Sequence, residues 1–225
     1  MVEARTGKAS DGTAYFALDQ QQGKGQRAKA WSSKPGENII LSVVKTCTHL
    51  QIQSQFELSC AVALACFDLF SSYAGDETRI KWPNDIYWRD RKAGGILIEN
   101  IITSNKWDKA IIGMGINVNQ TSFQGMEQRA VSLKQITGQT FDPISLAKEL
   151  CGHLDYRFTM LQSAPFDIAL SAYNQHLFKR HETVQFKKDN LLFHALVKEV
   201  NTKGQLVIEH GIQEAVTLGE VGWVL

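Results

Sequence analysis

The feature that most constrains this chain is the segment 81–99, where charged side chains stand among aromatic and aliphatic residues. The β-prone runs Ile86-Tyr87-Trp88 and Ile96-Leu97-Ile98 flank the polar turn cluster Arg89-Asp90-Arg91-Lys92, which predicts a β-hairpin. Lys81 and Asp85 lie among residues expected to be buried, and a buried charge is costly unless it is paired or meets a charged ligand. The segment therefore favours a functional site over a solvated surface hairpin.

Proline and glycine residues set the backbone conformation of the same segment. Pro83 fixes its own φ and favours an extended conformation in the residue before it, so Asn84 and Asp85 are presented from a set position. Gly94 and Gly95 remove two side chains where the second strand begins. A ligand can therefore approach the backbone closely there.

The order of residues in this segment resembles the central signature of the biotin protein ligases. The resemblance is carried by Lys81-Trp82-Pro83-Asn84-Asp85, by Lys92 seven positions after Asp85, and by Ala93-Gly94-Gly95-Ile96-Leu97-Ile98-Glu99. Members of that family make biotinyl-adenylate from biotin and ATP and pass the biotin to a lysine of a carrier domain. The resemblance implies an α+β fold, with a mixed or antiparallel sheet flanked by helices as in class II aminoacyl-tRNA synthetases and biotin and lipoate ligases, and a small C-terminal SH3-like β-barrel.

A loop rich in glycine and cations follows a predicted strand at 14–20. It reads Gly23-Lys24-Gly25-Gln26-Arg27-Ala28-Lys29-Ala30-Trp31. Glycines let the backbone turn its amides towards an anion, and the cations suit phosphates and a carboxylate. It is not a Walker loop, but it resembles the family's Gly-Arg-Gly-Arg-type loop that ends in a tryptophan and closes over biotin and the adenylate.

The loop departs from the family pattern at three positions. Lys24 keeps the positive charge of the first family arginine but lacks its planar fork, and Gln26 replaces the second arginine without any charge. Ala28 stands where a glycine is usual. We expect Gln26 to hold the intermediate by hydrogen bonds, with weaker retention of the adenylate.

A second glycine pattern lies in the predicted strand 110–119. Gly113, Gly115, Asn117 and Asn119 alternate with apolar residues, so they share one face and form a shelf without side chains that ends in an amide. Glycines can also ease the packing of a helix on a sheet. The family's Gly-x-Gly-Ile-Asn sequence at this place favours a ligand shelf, with Asn117 near the adenylate.

By resemblance, each candidate residue takes a role in joining two anions, the biotin carboxylate and the α-phosphate. Catalytic roles fall on Lys92, Lys24 and Asp85. Biotin binding falls on Gln20, Gly23, Lys24, Gly25, Gln26, Lys92 and Gly95. ATP or adenylate binding falls on Arg27, Lys29, Trp31, Lys81, Asn84, Asp85 and Asn117. No dedicated protein site for a metal is predicted, because Mg²⁺ is expected to travel with the triphosphate.

Periodicity predicts the remaining elements. A core strand is predicted at 37–44, and a helix is predicted to begin at a capping box of Ser54 and Glu57 and to run towards Gly75. Asp142 and Pro143 predict the start of another helix, and a further helix is predicted at 166–177. Short strands at 183–187, 192–200, 205–210 and 215–218 suit a small barrel. We therefore expect a catalytic domain at 1–177 and an SH3-like domain at 178–225.

Charge and cysteine content limit the partners. A net charge of +1 over 225 residues argues against general electrostatic binding to nucleic acid or to an anionic membrane. The four cysteines form no C-x-x-C pair, and no secretory signal or apolar run long enough to span a bilayer is evident. These observations predict reduced thiols, a cytoplasmic location and no nucleic acid or membrane partner. The resemblance implies a monomer or a homodimer, because the family includes both.

The function predicted from the sequence is that of a biotin-[acetyl-CoA-carboxylase] ligase. Its substrates would be ATP, biotin and a lysine of the biotin carboxyl carrier domain of a biotin-dependent carboxylase. Two alternatives stay open: a lipoate-type acyl-protein ligase, and a biotin- or nucleotide-binding module without full activity. The second arises because the family places a Ser-Thr-Asn triplet before the loop to help seat biotin, and this sequence contains no such triplet. We therefore expect the chain as given to bind biotin poorly.

Overall fold

A computed structural model of the protein describes residues 8–26, 30–123, 125–126 and 129–224. These residues form two antiparallel sheets, a small hairpin and four helices. The strands are β1 (Ala14–Phe16), β2 (Gly23–Lys24), β3 (Ala30–Trp31), β4 (Asn38–Thr46), β5 (Thr78–Lys81), β6 (Asp85–Trp88), β7 (Arg91–Thr103), β8 (Lys106–Asn117), β9 (Thr183–Lys188), β10 (Leu191–Val200), β11 (Leu206–Glu209), β12 (Gln213–Val216) and β13 (Gly222–Val224). The helices are α1 (Gln55–Ala74), α2 (Leu133–Thr137), α3 (Pro143–Ser163) and α4 (Phe166–Gln175), with a 3₁₀ turn at Ile52–Ser54 before α1.

The larger sheet has six strands in the order β1-β4-β8-β7-β6-β5, and every neighbouring pair is antiparallel. Alternate residues of its central strands, among them Ile39, Ile96 and Met114, belong to the main hydrophobic core together with helix α1. This alternation gives the sheet one face buried in the main core. On the other face Val44 and Ile111 are buried in a small cluster with Ala9, and the positions of Gly95 and Gly115 carry no side chain. The predicted α+β class is confirmed, and the pairing of this sheet is antiparallel rather than mixed.

Helix α1 is the central helix of the core. Buried residues occur on all its sides, because alanine and cysteine fill the positions between its larger apolar side chains. The stretch Ile52–Ala74 is long and apolar enough, by length and composition, to cross a membrane, although 61% of its most apolar window is buried within the protein. The prediction that no segment reaches this length is therefore wrong by those two criteria. A buried core helix passes the same test.

Helix starts agree with the sequence in one case and differ in another. Asp142 caps α3 by accepting hydrogen bonds from the backbone amides of Ile144 and Ser145, as predicted. At α1 the Ser54 hydroxyl instead donates to Glu57 Oε1 at 2.8 Å, so the predicted capping box is wrong. The preceding 3₁₀ turn accounts for the difference, since it leaves the Ser54 backbone at ψ 13° rather than extended.

The smaller sheet contains five strands in the order β12-β11-β10-β9-β13. Its first four strands in the chain match the predicted ones within two residues at each end. Strand β13 (Gly222–Val224) was not predicted, because three residues carry too little periodicity. No pairing between β12 and β13 occurs among the described residues, so closure into a barrel stays a prediction.

The smaller sheet packs directly on the strands that carry the signature. The indole Nε1 of Trp82 donates to the carbonyl of Gly204 at 2.9 Å, and Trp82 is 3% exposed. The buried Asn174 side chain bonds both the carbonyl and the amide of Val200. Hydrophobic residues of both sheets belong to one core cluster. These contacts fix the smaller sheet against helix α4 and the turn that follows β5.

Candidate active site

One row of residues crosses the open face of the larger sheet. The register pairs Lys81 with Asp85, Asp85 with Gly95, Gly95 with Gly115 and Gly115 with Ile40. Directly paired residues of antiparallel strands point to the same face, so the two charged side chains stand beside two positions that have no side chain. The glycines predicted as a ligand shelf therefore lie next to the charges of the signature.

A β-bulge brings Lys92 onto this face. Ile86 pairs with Gly94 and Tyr87 pairs with Lys92, so Ala93 is an extra residue without a partner in β6. Without the bulge, Lys92 and Gly95 would point to opposite faces, because they are three positions apart in one strand. The polar turn predicted to include Arg91 and Lys92 is shorter than expected. Both residues belong to β7, and only two residues form the turn.

Lys92 and Asp85 form the central ion pair of the site. Lys92 Nζ lies 2.7 Å from Asp85 Oδ1, and the two side chains are 25% and 21% exposed. A Cβ atom placed on Gly95 would lie 3.2 Å from Lys92 Nζ and 3.4 Å from Asp85 Oδ1. The ion pair therefore stands directly over Gly95, partly shielded from water and still open to a ligand.

The backbone of Lys92 is held from both sides. Its amide donates to the carbonyl of Arg129 at 2.7 Å, and its carbonyl accepts from the amide of Val131 at 2.9 Å. Asn117, which is 4% exposed, donates from Nδ2 to the carbonyls of Lys92 at 3.4 Å and Val131 at 3.1 Å. Asn117 thus lies at the predicted end of the shelf, with its amide nitrogen bonded to backbone.

Asn84 lies beside this site but also bonds backbone. Its Nδ2 donates to the carbonyl of Ile96, and the amide of Ile96 donates to the carbonyl of Asn84 at 2.9 Å. These bonds tie the turn after β5 to β7. Asn84 therefore holds the turn that carries Asp85, and its predicted contact with the nucleotide stays a prediction.

The hairpin of β2 and β3 covers one end of the shelf. A Cβ atom on Gly115 would lie 2.5 Å from the Trp31 ring, and Lys92 Nζ is 5.8 Å from the centre of that ring. The Trp31 indole therefore rests on Gly115 beside the ion pair. Its Nε1 is buried and has no hydrogen-bond partner among the described residues.

The other predicted residues of the loop differ in their contacts and in their exposure to solvent. Gln20 lies against Gly23, since a Cβ atom there would be 2.8 Å from Gln20 Oε1. Gly25 and Gln26 are half-buried. Lys24 pairs with Ala30 in the hairpin, is exposed, and forms no ion pair with another described side chain. The predicted phosphate ligands Arg27 and Lys29 lie outside the described residues.

Lys81 faces the smaller sheet. Its Nζ lies 5.1 Å from the ring centre of Tyr87 and 5.2 Å from that of Trp223. Burial raises the pKa of the Tyr87 hydroxyl well above its usual range, and the negative charge of Asp85 adds to the effect. Tyr87 is therefore neutral at physiological pH and offers Lys81 the face of its ring.

Among the residues that the structure describes, four at this site are not predicted from the sequence: Arg129, Val131, Tyr87 and Trp223. Tyr87 lay inside the signature, and its position two residues from Asp85 on the same strand face was a usable signal. The other three reach the site through contacts between segments distant in the chain. No local pattern marks such contacts.

The donor groups do not make a dedicated metal site. Within the described ranges, no cluster of three or more His, Cys, Asp or Glu side chains is placed to hold a metal ion. Asp85 is the carboxylate at the centre of the cleft, and it is paired with Lys92. One carboxylate suits a Mg²⁺ ion carried by a triphosphate, because Mg²⁺ commonly binds through phosphates, waters and one or two carboxylates.

A separate polar cavity of about 260 Å³ lies between α4 and the smaller sheet. It is lined by Asp167, Leu170, Ser171, Asn174, Arg180 and Glu199. None of the predicted site residues lines it. The signature residues instead surround the open shelf.

The fold matches that of known biotin protein ligase structures. The biotin protein ligase from Aquifex aeolicus in complex with biotin and ATP superposes with a TM-score of 0.81 and 22% identity, covering 95% of this chain and 89% of that one. Fold and topology thus define an α+β protein built on the biotin protein ligase fold.

Sequence comparison identifies the family. A model of the biotin/lipoate A/B protein ligase family matches residues 3–117. The bifunctional ligase/repressor BirA of Bacillus spizizenii is 32% identical over 160 residues, which is 69% of this chain and 49% of the relative. The biotin--[acetyl-CoA-carboxylase] ligase of Mycobacterium tuberculosis is 29% identical over 167 residues, 73% of this chain and 60% of the relative. The chain belongs to the biotin/lipoate A/B protein ligase family, and it spans about half the length of the first of these relatives.

Proposed function

We propose that this chain is an ATP-dependent biotin protein ligase. It activates biotin as biotinyl-5'-AMP and transfers the biotin to a lysine of a biotin carboxyl carrier domain, as in a biotin-[acetyl-CoA-carboxylase] ligase. The observation that carries the proposal is the Lys92 and Asp85 ion pair, which stands over Gly95 at the edge of a shelf without side chains. Membership of the ligase family supports it.

In the first step a biotin carboxylate oxygen attacks the α-phosphorus of ATP, and pyrophosphate leaves. Two anions must meet, so a cation between them lowers the barrier. Lys92 is suited to that place, because its ammonium group is held at the edge of the shelf and its backbone is fixed by three hydrogen bonds. Positioned charge of this kind is usually the largest catalytic contribution, about 3 kcal/mol for one group.

Asp85 keeps the ammonium of Lys92 over Gly95 before the substrates arrive. In the second step the amine of the carrier lysine attacks the mixed anhydride, the new amide bond forms, and AMP leaves. The attacking amine must lose protons as the amide forms. Asp85 is the carboxylate beside the reacting centre that can orient or accept one of them.

The other predicted roles complete the proposal. Gln20, Gly23, Gly25 and Gln26 would line the biotin side with Lys24, while Trp31 and Asn117 would approach the adenylate. Arg27, Lys29 and Lys81 would hold phosphates, and Mg²⁺ would enter with ATP. The smaller sheet would form an SH3-like domain at 178–225 next to a catalytic domain at 1–177. We further propose a cytoplasmic enzyme, acting as a monomer or homodimer without nucleic acid or membrane partners.

The test is a complete reaction with separated steps. The chain is mixed with biotin and ATP, and biotin-dependent exchange of pyrophosphate into ATP is measured. A carrier domain is then added, and its biotinylation is compared with that of a carrier whose acceptor lysine is replaced by arginine. Exchange and lysine-dependent labelling are expected. An absence of exchange would overturn the proposal, and preferential use of lipoate over biotin in a competition assay would reassign the substrate.

A further inference from the structure

We propose that Trp223, in the smaller sheet, is a positioning residue that holds the ammonium of Lys81 ready for the phosphates of the nucleotide. The inference rests on the proposed function, because it concerns how that site binds ATP. It adds a residue from the far end of the described chain, outside every motif of the sequence. The contribution is made through Lys81 and not through contact with the reacting atoms.

The first observation is the position of Lys81 between two rings. The Nζ atom lies 5.1 Å from the ring centre of Tyr87 and 5.2 Å from that of Trp223, within the range of a cation-π interaction. Lys81 is paired with Asp85 across β5 and β6, so it leaves the sheet on the face that carries Gly95. The two rings therefore hold a positive charge at the edge of the shelf.

The second observation is the support of the Trp223 ring itself. Trp223 is paired with Phe186 across β13 and β9, and their ring centres are 4.9 Å apart. Phe178 lies 5.7 Å from Trp223 and 5.1 Å from Tyr87. Four aromatic rings thus form a continuous wall behind Lys81. Because Phe178 and Phe186 both contact the Trp223 ring, they fix its orientation.

The third observation is that the smaller sheet is attached by contacts that do not involve Trp223. Trp82 Nε1 donates to the carbonyl of Gly204, and Asn174 bonds Val200 through both its amide and its carbonyl groups. Removal of the Trp223 ring therefore leaves the sheet attached. The contact with Lys81 can be changed without separating the two sheets.

The physical effect follows from the flexibility of lysine. A lysine side chain has a large rotamer entropy, which binding to a phosphate must overcome. Two rings that favour the charged end in one place reduce that cost before the ligand arrives. Loss of the Trp223 ring is therefore expected to weaken nucleotide binding and to leave biotin binding unchanged.

The experiment measures ATP and biotin dissociation constants by calorimetry on the full chain. Trp223→Leu is expected to weaken ATP binding about five- to tenfold and to change biotin binding less than about twofold. Trp223→Phe is expected to restore most of the ATP affinity, because a ring is retained. Phe193→Leu is the matched control, since Phe193 stacks on Phe186 in the same sheet with ring centres 5.9 Å apart. It is expected to lower the free energy of unfolding without altering ATP affinity.

A double-mutant cycle identifies the route of the effect. If Trp223 acts through Lys81, then Trp223→Leu has no further effect on ATP affinity in a Lys81→Met background. Equal losses of ATP affinity in Trp223→Leu and Phe193→Leu, an additive double mutant, or unchanged ATP affinity in Lys81→Met would each overturn the inference. If the unchanged chain binds ATP and biotin, and Trp223→Leu binds ATP with the same dissociation constant, the inference alone fails. If the unchanged chain binds neither, the proposed function fails with it.

Discussion

Lys92 Nζ lies 2.7 Å from Asp85 Oδ1 because a bulge at Ala93 turns Lys92 onto the face of the sheet that carries Asp85. The pair joins two strands at a point where Gly95 has no side chain to keep a ligand away. A positive charge is therefore available at the edge of a flat surface. We therefore expect replacement of either Lys92 or Asp85 to impair adenylate formation.

Replacement of Lys92 by alanine is expected to lower biotin-dependent pyrophosphate exchange by two orders of magnitude or more, because the cation between the two anionic substrates is lost. The variant should remain folded, since the side chain is a quarter exposed. Lys45→Ala is the matched control, because Lys45 lies on strand β4 of the same sheet and forms a 2.9 Å ion pair with Asp11. Normal exchange in Lys92→Ala would contradict the role assigned to Lys92.

Asp85→Ala is expected to reduce adenylate formation nearly as much, because the ammonium of Lys92 loses the group that holds it over Gly95. The free energy of unfolding should change by only about 1 kcal/mol, since both partners are partly exposed to solvent. Urea denaturation and pyrophosphate exchange measure the two effects. A large loss of stability with unchanged exchange would show that the carboxylate is structural.

Asn117→Asp tests the support of the Lys92 backbone. The substitution removes both N–H groups that bond the carbonyls of Lys92 and Val131, and it places a carboxylate near those carbonyls. Loss of the donor to the buried Val131 carbonyl costs about 1–3 kcal/mol, whereas the Lys92 carbonyl keeps the Val131 amide as its donor. We expect a loss of stability of that size together with reduced exchange. Retained stability with a selective loss of ATP affinity would instead favour direct contact with the adenylate.

Several parts of this site follow from local pattern. The strand period of two correctly predicts that Gly113 and Gly115 share a face, and the signature correctly predicts a hairpin that carries Asp85. The bulge at Ala93 could not be predicted, because the same residues pair equally well in a regular hairpin. Only the pairing of β7 with its neighbours decides the register.

The contacts of Asn117 and Trp223 cannot be predicted from the sequence for a different reason. Asn117 bonds residues 25 and 14 positions away, and Trp223 meets a lysine from the opposite sheet. Periodicity gives the face of a side chain but not the backbone groups that approach it from other segments. The glycine pattern therefore predicts that the Asn117 amide contacts a ligand, whereas its nitrogen donates to backbone carbonyls of the protein.

The buried thiol of Cys60 predicts a loss of stability at high pH. Burial raises its pKa from 9.0 to about 12. Above pH 9 the unfolded chain loses this proton while the folded protein keeps it, so the free energy of unfolding falls between pH 9 and about 12. The expected slope is about 1.4 kcal/mol per pH unit for this thiol. Denaturation curves of Cys60→Ala should have a correspondingly shallower pH dependence, and an identical slope would contradict the prediction.

Gly115→Ala and Gly113→Ala form a matched pair that tests the Trp31 contact. A Cβ atom on Gly115 would lie 2.5 Å from the Trp31 ring, whereas one on Gly113 would meet nothing closer than the Leu97 carbonyl at 3.4 Å. Gly115→Ala must therefore displace the indole from the shelf, while Gly113→Ala should be tolerated. We expect Gly115→Ala alone to change tryptophan fluorescence and to speed the release of biotinyl-adenylate, measured by dilution of preloaded protein. The comparison isolates the ring contact, because both substitutions add one methyl group to the same face of β8. Equal release rates in the two variants would mean that the indole does not retain the intermediate.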